Sequence, residues 1–65
     1  MKDYILLITP REQEVLQLLA KGITYSEIAR QLDITHETVK KHLKNIYRKL
    51  RVSNKIEALT KWKLL

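Results

Sequence analysis

At three places in this 65-residue chain, a threonine or asparagine stands three positions before a glutamate. This spacing is a helix-start signal, because the first side chain can accept a hydrogen bond from the glutamate amide while the glutamate carboxylate accepts one from the first residue's amide. The three pairs are Thr9 with Glu12, Thr24 with Glu27, and Asn54 with Glu57. Each pair precedes or opens an apolar pattern, so the chain is predicted to be divided among short helices.

Turn-forming residues are scarce, with one glycine and one proline in the whole chain. Pro10 suits the first position of a helix, and Gly22 can end one in the left-handed conformation. Sheets and irregular loops usually need more such residues. We therefore predict an all-α domain over residues 9–65, with four helices at about 9–21, 24–32, 35–50 and 54–63. Residues 1–8 are a lead-in that could be a disordered arm, a short strand or a helical extension.

The third predicted helix has two contrasting faces. Val39, Leu43, Ile46 and Leu50 repeat at helical spacing and define a stripe that can be buried. The opposite side carries Lys40, Lys41, Lys44 and Arg48. Like charges four residues apart destabilise a helix by a few tenths of a kcal/mol per pair. Because the helix keeps this basic face despite the cost in stability, the pattern indicates that the face binds an anionic ligand.

Charge is unevenly spread along the chain. Residues 1–39 carry a net charge of −2, whereas residues 40–65 carry +8. A basic half on a small domain produces a local positive potential that suits nucleic acid or an anionic membrane surface. A solvated basic face without a partner is the alternative explanation of the charge alone.

Other classes of function find little support in the sequence. There is no cysteine and there are two histidines, so we expect no metal site. No set of residues suited to nucleophilic or acid–base catalysis can be identified, and a core this small leaves little room for a pocket. We therefore expect no enzyme activity, no cofactor and no small-molecule ligand in this domain. The longest apolar run, residues 4–8, is too short to span a membrane.

The second and third predicted helices form a recognisable unit: a short helix, a turn of about three residues and a longer basic helix. That arrangement is a helix-turn-helix. An α-helix fits the major groove of B-DNA, where each base pair presents its own donors and acceptors. A helix that enters the groove needs long polar side chains outside and an apolar face inside, as residues 35–50 have.

The pattern resembles the LuxR/FixJ/NarL family of bacterial transcription regulators. The resemblance runs without a gap from about residue 9 to about residue 60. It is carried by residues 9–16, by residues 22–29 with Leu32, by Ile34 and Thr35, and most specifically by residues 38–50, with Val52 and Ala58 beyond. The resemblance implies a four-helix domain whose third helix enters the major groove and whose fourth helix serves dimer formation. It also implies double-stranded DNA as the partner and the bacterial cytoplasm as the location.

Site residues follow from the resemblance, position by position. It implies base contacts by Lys40, Lys41 and Lys44. It implies phosphate contacts by Thr24, Tyr25, Ser26, Thr35, Thr38, Asn45, Arg48 and Lys49. The fourth helix is expected to form a homodimer through Ile56, Leu59, Trp62 and Lys63. We also expect Glu14 to pair with a basic residue of the third helix.

Two positions depart from the family pattern. Arg51 stands where the family usually has glycine, although arginine is disfavoured at positive φ. Tyr25 stands where the family commonly has asparagine, and tyrosine there is similar to region 4 of σ factors, another promoter-binding module. Two functional hypotheses therefore accompany the main one, a sequence-specific dimeric regulator. They are a region 4-like module, and a basic helical module that binds an acidic protein or a membrane. The apolar stripe of the third predicted helix is needed for the core of the domain, which argues against binding to a membrane.

Overall fold

The computed structural model describes residues 7–63, which form four helices. They are α1 (Pro10–Ala20), α2 (Tyr25–Leu32), α3 (His36–Leu50) and α4 (Lys55–Lys63). No strand occurs between residues 7 and 63, and the predicted all-α class with four helices is confirmed. The division at residue 8 stays a prediction, since residues 1–6 of the lead-in lie outside the described residues. Ile8 is buried and belongs to the core.

The helices begin where the capping residues predict. Thr9, Thr24 and Thr35 each cap a helix by accepting a hydrogen bond from the amide three residues later. Asn54 does the same for α4 through its side-chain oxygen, 2.9 Å from the Glu57 amide nitrogen. Each cap satisfies one of the amides that the first turn leaves without an acceptor.

The reciprocal half of the capping box forms at one of the three predicted pairs. Glu12 accepts a hydrogen bond from the Thr9 amide, which completes the box of α1. The Glu27 carboxylate instead binds Arg30 and Gln31 on its own helix. Glu57 accepts from the amide of Ser53, one residue before the cap. The spacing therefore located the starts of α1, α2 and α4, but it did not determine where the glutamate side chain binds.

Three helices end in the same way, with one residue in the left-handed conformation. These residues are Gly22 (φ +81°), Asp33 (φ +57°) and Arg51 (φ +58°). The amide of the following residue donates to the carbonyl oxygen five residues earlier, which is the hydrogen bond of a Schellman ending. These bonds are Ile23 to Leu18 at 3.3 Å, Ile34 to Ala29 at 2.9 Å, and Val52 to Tyr47 at 2.9 Å. Arg51 therefore adopts the left-handed conformation at a position where the family usually has glycine.

Gly22 offers a test of how much this ending contributes. A Cβ built at Gly22 meets no atom within 4 Å, so Gly22→Ala adds backbone strain without a clash. We expect it to lower the free energy of unfolding by about 1–2 kcal/mol, the cost of the left-handed conformation for a residue with a Cβ. Urea unfolding followed by circular dichroism measures the change. Lys21→Ala is the matched control, because Lys21 has φ −81° and alanine is favoured there. Equal stability of both variants would contradict the assignment of strain to Gly22.

The core lies around α3, which contacts each of the other three helices. Its predicted stripe of Val39, Leu43, Ile46 and Leu50 is fully or almost fully buried. The partners of the stripe are Ile8, Val15, Leu16 and Leu19 from the α1 side, Ile28 and Ala29 from α2, and Ala58 from α4. Full burial of a large aliphatic side chain contributes about 1.5–3 kcal/mol. Packing on three sides fixes the orientation of α3 and leaves its remaining side exposed.

Candidate nucleic-acid interface

The exposed side of α3 carries a row of cations. Lys40, Lys44 and Arg48 are exposed at intervals of one helical turn, and Lys41 is exposed beside them. The Lys40 ammonium lies 3.9 Å from the carboxylate of Glu37, and both side chains are largely in solvent, so this pair contributes little. The three predicted base-contacting lysines and Arg48 thus share one accessible face, which we call the lysine face (Lys40, Lys41, Lys44 and Arg48).

Hydroxyl groups are concentrated at the N-termini of α2 and α3. Thr24 and Ser26 are exposed at the start of α2, where the first turn leaves amides without an intrahelical acceptor. At the start of α3, the hydroxyl oxygens of Thr35 and Thr38 lie 2.8 Å apart. The structure thus brings these four predicted phosphate-contacting residues to the two helix N-termini, which favour an anion on their own.

Tyr25, also at the start of α2, is held from two sides. Its ring lies against that of His36, with the centroids 5.9 Å apart and the planes tilted by 49°. It also lies beside Tyr47 of α3. Burial of the Tyr47 hydroxyl, together with its interaction with the Tyr25 side chain, raises the pKa of Tyr47 to about 12. The Tyr47 hydroxyl is therefore protonated at neutral pH.

A groove of about 260 Å³ lies between Tyr25 and the lysine face, lined by Tyr25, Lys40, Leu43, Lys44 and Tyr47. Sequence reasoning assigned Tyr47 no part in the site. The spacing of Lys40, Leu43, Lys44 and Tyr47 on α3 could have placed these four together, but the arrival of Tyr25 depends on how α2 docks.

In the C-terminal half of α3, the predicted phosphate contacts already have partners. The Arg48 guanidinium donates to the side-chain oxygen of Asn45 at 3.3 Å, and both groups remain accessible enough to rearrange. Lys49 is more firmly held, because its ammonium binds both carboxylate oxygens of Glu12 at 2.8 and 3.0 Å. The Lys49 side chain is 21% exposed, and Glu12 is 3% exposed.

The partner of α3 is therefore Glu12 and not Glu14. The expectation that Glu14 pairs with the third helix is wrong, since Glu14 is exposed and binds Arg11 on its own helix at 3.3 Å. Burial of Glu12 acts to raise the pKa of its carboxyl group, but the hydrogen bonds from Lys49 and from the Thr9 amide outweigh burial and leave this pKa below its ordinary value. Glu12 is thus ionised and ties the start of α1 to the last turn of α3.

Helix α4 divides the predicted dimer residues between two environments. Leu59 and Trp62 are half-buried and pack against the core. Ile56 is 67% exposed, and Lys63 is exposed at the end of the helix. Beside Ile56 lies a hollow of about 500 Å³, whose lining residues are Arg51, Val52, Ile56, Glu57, Thr60 and Lys61. An exposed isoleucine next to a hollow is the main apolar feature of this side of α4.

The described part of the chain has neither a cluster of metal-binding side chains nor a membrane-spanning helix. No cluster of three or more histidine, aspartate or glutamate side chains in residues 7–63 could hold a metal ion. No helix in the same span is long and apolar enough to cross a membrane.

Helices α2 and α3, joined by the turn at Asp33–Thr35, form a helix-turn-helix with a basic outer face. The family model for "Bacterial regulatory proteins, luxR family" matches residues 6–61. The chain belongs to this family, as the pattern in α3 predicts. Family membership implies DNA binding in the regulation of transcription.

Three relatives illustrate the match. The chain is 45% identical over 51 residues to the nitrate/nitrite response regulator protein NarL of Escherichia coli (strain K12), covering 78% of this chain and 24% of NarL. It is 51% identical over 55 residues to the transcriptional activator protein CarR of Pectobacterium carotovorum subsp. carotovorum, covering 85% and 22%. It is 46% identical over 56 residues to the transcriptional regulatory protein DesR of Bacillus subtilis (strain 168), covering 86% and 28%. The chain thus spans about a quarter of the length of these relatives, each of which is named as a regulator.

Proposed function

We propose that this chain binds double-stranded DNA sequence-specifically, with α3 in the major groove. One observation carries the proposal: α3 buries one face completely in the core while it exposes four cations on the other. A helix held this way is rigid, and its long lysine and arginine side chains can extend hydrogen-bond donors into the major groove of DNA. Lys40, Lys41 and Lys44 then contact base edges, and the bacterial cytoplasm, where the DNA lies, is the proposed compartment.

Phosphate contacts supply the affinity in this proposal. Thr24, Tyr25, Ser26, Thr35 and Thr38 approach one strand from the α2 side of the groove. Asn45 and Arg48 approach the other strand from the opposite flank, where Lys49 contributes if its pair with Glu12 leaves a donor free. Such contacts release counterions, so binding weakens steeply as salt is raised.

We propose also that two copies bind together on repeated half-sites about 10 base pairs apart. Ile56 and the adjacent hollow are the proposed centre of the contact, with Lys63 at its edge. In a two-fold dimer, the same patch faces itself, so the isoleucine of each copy can fill space beside that of the other. Leu59 and Trp62 support the contact from beneath, because they fix α4 on the core.

The first experiment is selection of bound duplexes from a random DNA library at moderate salt. Enrichment of a short repeated or symmetric motif supports the proposal. If the chain instead binds anionic vesicles and shows no preference among duplexes, it is a basic interaction module and the proposal is wrong.

Single substitutions then separate base contacts from phosphate contacts. Lys44→Ala is expected to weaken binding at the selected site by about 1–3 kcal/mol and to relax the preference for one base pair. Arg48→Ala, one turn further along α3, is the matched control. It should weaken all duplexes alike and reduce the dependence of log K on log salt by about one unit. Equal effects of both variants on every duplex would contradict the assigned roles.

A further inference from the structure

The groove between Tyr25 and the lysine face has an apolar lining and a cationic rim. It is lined by Tyr25, Leu43 and Tyr47 together with the two lysines Lys40 and Lys44. The exposed surface of these lining residues is largely carbon.

When α3 lies in the major groove of DNA, the location of the protein groove limits which chemical groups of the DNA can reach it. Lys40 and Lys44 border it on the side proposed to meet base edges, and Tyr25 borders it on the side proposed to meet phosphates. The occupant must therefore lie between a base edge and its own backbone. The C5-methyl group of thymine occupies that place, and it is the apolar group that the major groove displays.

We propose that this groove accepts the C5-methyl group of one thymine in each half-site, next to the bases contacted by Lys40 and Lys44. The inference rests on the proposed function. It adds an apolar contact to a face that otherwise carries only cations, and it makes Tyr25 a determinant of sequence preference. Tyr47 lines the groove beside Tyr25.

The test removes the methyl group and nothing else. Each thymine of the selected duplex is replaced singly by deoxyuridine, which keeps the base pairing. At one thymine per half-site, we expect affinity to fall about three- to five-fold, the effect of burying one methyl group. Titrations at fixed salt measure the ratio of the two dissociation constants.

Three variants assign the effect to the groove. Tyr25→Ala removes one lining ring and should bring the thymine-to-uracil ratio close to one. Tyr25→Phe keeps the ring and should keep the ratio, while it weakens binding to both duplexes through the lost hydroxyl. Lys41→Ala changes a lysine outside the groove and should also weaken both duplexes while keeping the ratio. Thermal unfolding of each variant verifies that the domain is folded.

The possible failures can be told apart. Sequence-specific binding to a site that lacks thymine, or a site where no uracil replacement matters, overturns the inference and leaves the proposed function intact. A ratio that persists in folded Tyr25→Ala also overturns it. A library that yields no preferred sequence overturns the proposed function, and this inference with it.

Discussion

Lys49→Met is expected to lower the free energy of unfolding by about 2–4 kcal/mol, because it leaves the ionised Glu12 carboxylate buried without its cation. A domain of this length has a total stability of about 3–10 kcal/mol. The variant should therefore lose a large fraction of the stability of the domain. Urea unfolding monitored by circular dichroism measures the loss.

Lys44→Met is the matched control for this prediction. It makes the same substitution on the same helix, but Lys44 is exposed and carries no ion pair within the described residues. We expect a change within about 0.5 kcal/mol, as for most surface substitutions. If Lys49→Met were as stable as this control, the pair between α1 and α3 would contribute nothing, and Lys49 would be available for phosphate.

The same pair gives the domain an acid sensitivity of defined sign. The pKa of Glu12 lies below its ordinary value of 4.5 in the folded state, so the unfolded state binds the proton more readily. The stabilisation is complete above about pH 5 and is lost as the pH falls through the folded pKa. In Glu12→Gln, the stability should be lower at neutral pH and should depend less on pH between about 5 and 3.

Ile56→Asp is expected to lower the affinity for a duplex with two half-sites about 100-fold or more, because the gain from linking two binding events is about 10²–10⁴. Ile56 is the second residue of α4, where a negative charge is favoured by the helix dipole, and its side chain is exposed. The fold should thus be retained. Titration of duplexes with one and two half-sites separates the dimer contact from the DNA contact.

Lys55→Ala serves as the control for charge. Like Ile56→Asp, it lowers the net charge by one unit at the start of α4. We expect it to reduce affinity slightly and equally for both duplexes. If Ile56→Asp affected the two duplexes as little as this control, the dimer would not form through the exposed side of α4.

The sequence predicted the helices well because their boundaries are set locally. A threonine or asparagine cap and a glycine at positive φ act within four or five residues, so Thr9, Thr24, Asn54 and Gly22 identify their helix ends without knowledge of the fold. Asp33 and Arg51 carry no comparable signal for the left-handed conformation. At Arg51, the hydrogen bonds donated by the amides of Arg51 and Val52, together with the packing of Val52 against the core, outweigh the steric cost of positive φ for arginine.

The site was predictable only where it lies on a single helix. The lysine face follows from spacing along α3. The partner of Lys49 does not, because Glu12 and Glu14 are both plausible until the rotation of α1 on α3 is known. Which side chains of α4 are buried and how Tyr25 approaches Tyr47 likewise depend on the docking between helices. A nine-residue helix has too few turns for its buried side to be determined from spacing alone.

The separation of α3 into a buried stripe and an exposed cationic side has an evolutionary consequence. Lys40, Lys41 and Lys44 contribute nothing to the core. Under the proposed function, substitutions at these positions alter which operator is preferred while the domain keeps its stability. Gene duplicates of such a regulator can therefore acquire new targets by a few surface changes. Retargeting by design can follow the same route, with Val39, Leu43, Ile46 and Leu50 held constant.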